Sequence, residues 1–161
     1  MKRRRAGYDL AASLLLLVLA SWATAAGERT SCPHPLGRTS LTIGDADLYV
    51  EIAATEPARQ CGLAWREALA PDHGMLFVYR RPAMLRFWMR NTYVPLDIAF
   101  IDEHWRIINI ATMSPTEPLR IHAAHAPARF ALETRAGWFA RNDIAIGSQV
   151  EVTLPATLSI E

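Results

Sequence analysis

The chain has 161 residues, of which 51% are hydrophobic, and carries 17 Lys+Arg against 16 Asp+Glu for a formal net charge of +1. That length suits one domain, and the apolar content excludes a disordered or collagen-like chain. Near-neutral charge argues against a protein whose main partner is a polyanion.

Lys2, Arg3, Arg4 and Arg5 form a basic start, followed by the apolar run Leu10–Ala23 and the small residues Thr24, Ala25 and Ala26. This is the pattern of a secretory leader, residues 1–25, with cleavage after Ala25. The run is shorter than the ~20 residues that span a bilayer. Export to the periplasm or the extracellular space is the expectation, with no stable membrane span after cleavage. An uncleaved N-terminal anchor is the alternative.

Cleavage removes four basic residues and Asp9, leaving 13 Arg against 15 acids, net −2, with no lysine. A Schiff-base lysine and a lysine-bearing phosphate loop are thereby excluded, and no nucleic-acid partner is expected. Two cysteines, Cys32 and Cys61, remain. In an oxidising compartment they could form a disulfide.

Residues 26–40 are rich in Gly, Pro, Ser and Thr and read as a linker; a single β domain is expected over 41–155. Leu41 and Ile43, then Leu48, Val50 and Ile52, alternate around a Gly-Asp-Ala-Asp turn, a hairpin signal. Thr55 is a good N-cap for a short helix that Gly62 interrupts, with Pro57 tolerated in its first turn. Strands are expected at GMLFVY, LRFWMRN, LDIAFID, WRIINIAT, ARFALET and QVEVTL. Gly137–Arg141 reads as a short helical turn. Short strands at this spacing, with one or two short helices, predict a mainly β fold: an antiparallel sandwich or barrel.

Five stretches carry a family likeness: GLAWRE (62–67), GMLFVY (74–79), FWMRNTYVPLDIAFID (87–102), ALETRAGWFARNDIAIG (131–147) and QVEV (149–152). Through them the chain resembles the domain-of-unknown-function 192 family of mostly exported prokaryotic proteins. One departure is Ala64, where the family usually has methionine. The resemblance implies a compact domain of jelly-roll type and no particular activity. Function must therefore be argued from side chains.

Asp97 and Glu133 are the first candidates. Alternation places Asp97 on one face of its strand with Ala99 and Ile101, and Glu133 on one face of its own with Arg129 and Ala131. A carboxylate on an apolar face needs a partner. Two such acids in one pocket would suit acid–base catalysis by a small hydrolase or lyase. Glu133 could instead pair with Arg66 or Arg90, and either acid could be a structural pin.

Trp88 and Arg90 share a strand face, with Asn91 beside them. A ring that stacks and polar groups that orient suit a sugar or planar ligand. Trp138 could add a second ring or fill the core. The methionines and His73, His122 and His125 do not form a recognisable ligand set, so neither a metal nor another cofactor is expected. No G-x-S-x-G elbow is present. The leading expectation is an exported binding domain without catalysis, for a small ligand or an envelope polymer such as a carbohydrate, using Trp88, Arg90, Asn91, Asp97, Glu133 and Arg66. A structural role in an envelope complex is the remaining alternative.

Overall fold

The computed structural model describes residues 37–161. The leader, most of the linker and Cys32 lie outside the described residues. Strand β1 (Arg38–Ile43) begins inside the segment read as linker and pairs with β2 (Ala46–Ala53) in the expected hairpin. Gly44 turns the corner at φ +61, a conformation that favours glycine. Helix α1 (Glu56–Cys61) starts where Thr55 accepts a hydrogen bond from the Ala58 N–H at 3.4 Å, and stops at Gly62. The chain continues through β3 (His73–Ala83), β4 (Arg86–Phe87), β5 (Leu96–Ile101), β6 (Ile107–Met113), β7 (His122–Ala123), β8 (Ala128–Arg135), α2 (Trp138–Arg141) and β9 (Val150–Val152).

Seven strands form one sheet in the order β6-β5-β8-β3-β2-β1-β9; β4 and β7 form a separate two-stranded ribbon. The fold is mainly β, as expected, but the sheet is mixed rather than purely antiparallel. Strands β2 and β3 run parallel, with Val50 opposite Gly74 and Ile52 opposite Leu76. A hairpin cannot make such a pair; it needs a crossover, which α1 and the loop after it supply. The jelly-roll expectation fails at this point.

The sheet curls until its two outer strands meet at a corner. There the Val150 N–H donates to the Trp105 carbonyl at 2.8 Å, and the Ile107 N–H to the Ser148 carbonyl at 3.0 Å. Each face of the sheet buries its own core. On the face inside the curl lie Ile43, Val50, Leu76, Ala99, Leu132 and Val150, closed by Trp138 and Phe139 of α2. On the other face lie Met75, Phe77, Ile98, Phe100 and Ala131, covered by Leu63, Leu69, Val94 and the ribbon residues Leu85 and Phe87. With both faces covered, every residue of β5 is buried.

Candidate functional site

Asp97 sits opposite Thr112 of β6 and Thr134 of β8. Opposed residues share a face, so it points with Ala99 and Ile101 toward the inside of the curl. It is 4% exposed. One carboxylate oxygen accepts the Thr112 hydroxyl at 2.8 Å; the other accepts the Gly137 N–H at 2.7 Å. Both oxygens are thus engaged, and they tie β5 to β6 and to the turn that starts α2.

Glu133 sits opposite Met75 of β3 and Ile98 of β5. Asp97 and Ile98 are consecutive and point to opposite faces, so Asp97 and Glu133 lie on opposite sides of the sheet. They do not share a pocket, and the acid–base pair expected of them does not form. Glu133 is 5% exposed. No protein group among the described residues hydrogen-bonds its carboxyl, and burial pushes that carboxyl up to about 8. It is a neutral acid at pH 7. Tyr79 feels the same environment: burial raises its phenol, although the Arg59 guanidinium 4.7 Å above its ring opposes the shift.

Arg66 does not pair with Glu133. It makes a two-pronged ion pair with Glu51, at 2.7 and 2.6 Å. The hydrogen bonds hold the Glu51 carboxyl below its ordinary value and raise the Arg66 guanidinium. Arg66 therefore braces its loop to β2.

Trp88, Arg90 and Asn91 hydrogen-bond neither acid. Burial alternates along this segment as the sequence implies: Leu85, Phe87 and Met89 are inside, while Trp88 and Arg90 are exposed. Trp88 is 52% exposed. Asn91 takes a left-handed turn at φ 58, and its carbonyl accepts the Trp65 N–H at 2.7 Å. Trp65 is itself left-handed at φ 67 and 53% exposed. Its ring meets Tyr93, also 53% exposed, edge-on at 6.3 Å. One backbone hydrogen bond thus joins two loops and groups Trp65 and Tyr93 beside Asn91. Strand alternation could not reveal these two rings because neither lies on a regular element. Their only trace in the sequence is that they fall within the GLAWRE and FWMRNTYVP stretches.

Trp138 fills the core at 1% exposure, its indole N–H 3.4 Å from Asp72. His122, opposite Phe87, is buried, and its Nε2 has no partner among the described residues. Burial, then the Arg120 charge, lowers its affinity for a proton. Among the described residues no three His, Cys, Asp or Glu side chains are grouped to hold a metal ion. Cys61 is not a free thiol. No described helix is long and apolar enough to cross a membrane.

The family pattern of DUF192, an uncharacterised ACR, matches residues 39–152. The chain belongs to the DUF192 family. It is similar to the crystal structure of a candidate transcription regulator from Sinorhizobium meliloti 1021, with 31% identity and a TM-score of 0.70 over 73% of this chain and 95% of that one. It is also similar to a protein of unknown function from Novosphingobium aromaticivorans DSM 12444, with 33% identity and a TM-score of 0.67 over 73% of this chain and 89% of that one. No curated protein matches. DUF192 membership and these neighbours thus establish fold and kinship without assigning an activity.

Proposed function

We propose that this DUF192 protein is exported and acts as a non-catalytic binding domain. Its ligand is a small saccharide or an envelope polymer that carries one. The observation behind this reading is the joining of two loops by the Trp65–Asn91 hydrogen bond, which leaves Trp65 and Tyr93 half-exposed beside Asn91. Trp88 and Arg90 lie on the same segment as Asn91 and Tyr93. An aromatic face on a loop held by a backbone bond offers stacking at little entropic cost, and Arg90 and Asn91 supply polar groups beside it.

Paired acid–base catalysis by the two acids does not fit the geometry. Asp97 is occupied by Thr112 and Gly137, and Glu133 is buried on the other face of the sheet. The test is calorimetric titration with a panel of envelope saccharide fragments. Trp65→Ala and Trp88→Ala are each expected to weaken binding about tenfold, equivalent to about 1.4 kcal/mol. Asp97→Asn and Glu133→Gln are expected to leave affinity unchanged. Binding that survives both tryptophan substitutions, or saccharide cleavage abolished by Glu133→Gln, would overturn the reading.

A further inference from the structure

The β4–β7 ribbon is two-faced. Arg86 pairs with Ala123 and Phe87 with His122, and the Ala124 N–H donates to the Leu85 carbonyl at 2.9 Å. Leu85, Phe87, His122 and Ala124 point into the core. Opposite them, the outward residues include Met84 at 56%, Trp88 at 52% and Ile121 at 42% exposure, with Arg86 between Met84 and Trp88 and Arg90 just beyond. Leu119, in the turn leading into β7, is 72% exposed. These apolar side chains cluster on one thin element, whereas scattered exposure would need no explanation.

The β4 side of the ribbon carries only positive charge, and Glu117, in the turn before β7, is paired with Arg120. No acidic residue occurs between Asp72 and Asp97, while Arg80, Arg81, Arg86 and Arg90 all do, and all four are exposed. The ion pairs among the described residues are Arg66–Glu51 and Arg120–Glu117, so none of these four arginines is neutralised. Arginine offers only donors, so the complementary surface is rich in anionic acceptors. It must also take up aliphatic side chains, which neither stack on a sugar nor bond to a polyanion. A second copy fits poorly: a symmetric contact through this face would set arginines against arginines.

We propose that the outer face of the ribbon docks on an anionic lipid bilayer. Met84, Trp88 and Ile121 enter the interfacial layer, and Arg86 and Arg90 meet headgroup phosphates. This goes beyond the saccharide reading. It concerns the adjoining face and shares Trp88 and Arg90 with that site, so bilayer and saccharide compete for those two side chains while Trp65, Asn91 and Tyr93 belong to the saccharide site alone.

The test is co-sedimentation of the full chain with vesicles of phosphatidylcholine, alone or mixed with phosphatidylglycerol. The apolar Leu10–Ala23 stretch and the N-terminal basic residues are the same in every variant, so the comparison between variants reads the ribbon. Arg86→Gln with Arg90→Gln is expected to weaken binding to the anionic vesicles about 30-fold, about five-fold for each arginine. Met84→Ser with Ile121→Ser is expected to weaken it about tenfold while every charge is kept. Trp65→Ala, outside the face, is expected to leave vesicle binding intact while it weakens saccharide binding, so the two readings can fail separately. Wild-type binding to anionic vesicles by the double-arginine variant would overturn the proposal. So would equal binding of the Met84/Ile121 variant and the wild type to both vesicles and duplex DNA, since the face would then read charge alone. A concentration-dependent dimer lost in the Met84/Ile121 variant would assign the face to a second copy instead.

Discussion

Asp97 and Glu133 look alike in the sequence: each is an acid on an otherwise apolar strand. Folding gives them different chemistry. Asp97 finds two donors and works as a fastener. Replacing it with alanine strands the Gly137 N–H and the Thr112 hydroxyl, an expected loss of about 2–3 kcal/mol in chemical denaturation with ligand affinity retained in the folded fraction. Glu133 finds no donor among the described residues and keeps its proton up to about pH 8. Its ordinary value of 4.5 rises to about 8 in the fold. Between those values the unfolded chain gives up a proton that the folded chain retains. The contribution of Glu133 to stability is therefore greatest below the lower value, declines as pH rises through the window by up to about 1.4 kcal/mol per unit, and levels off above about 8. Glu133→Gln is expected to flatten that decline in thermal melts. Parallel melting curves for the wild type and the variant would show that Glu133 ionises without cost.

Hairpin β1–β2, the cap at Thr55 and the side-chain alternation of β5 and β8 were all legible in the sequence, because each depends on residues within a few positions of one another. Strand partners were not. Whether Glu133 lies beside Asp97 depends on the pairing of Ile98 with Glu133, a contact between residues far apart in the chain. The parallel pairing of β2 and β3 was hidden for the same reason, and β7 is a two-residue strand inside a Pro- and His-rich loop that lacks alternation. Close approach of strands also leaves little mark on composition. Gly74 is such a place: a Cβ there would collide with the Glu133 backbone carbonyl, which no rotamer change can move. Gly74→Ala is expected to destabilise the protein by about 2 kcal/mol or more, measured by urea unfolding. An unchanged midpoint would mean that β3 and β8 can separate freely at this point.

Across the whole molecule, the sheet spends both faces on packing. The curl encloses one core and brings the outer strands β6 and β9 together, which shortens the open edge available for pairing with other chains. The second core is roofed by loops and by the ribbon, and that roof carries the exposed rings of Trp65, Trp88 and Tyr93. Buried acids hold or tune the scaffold, while the solvent-facing chemistry belongs to tryptophan, tyrosine, arginine and asparagine. The leader-like N-terminus, read from sequence, would place this surface outside the cytoplasm.

The chain contains five tryptophans, and their indole N–H signals offer a direct reading of where a ligand lands. Trp138 is buried, whereas Trp65 and Trp88 are half-exposed. The decisive measurement is a nitrogen-15 NMR titration with envelope saccharide fragments. The account predicts that the Trp65 and Trp88 indole signals shift in a saturable way, together with the amides of Asn91 and Tyr93, while Trp138 and the amides flanking Asp97 stay in place. Saturable shifts centred on Asp97 or Glu133, with Trp65 and Trp88 unmoved, would contradict it.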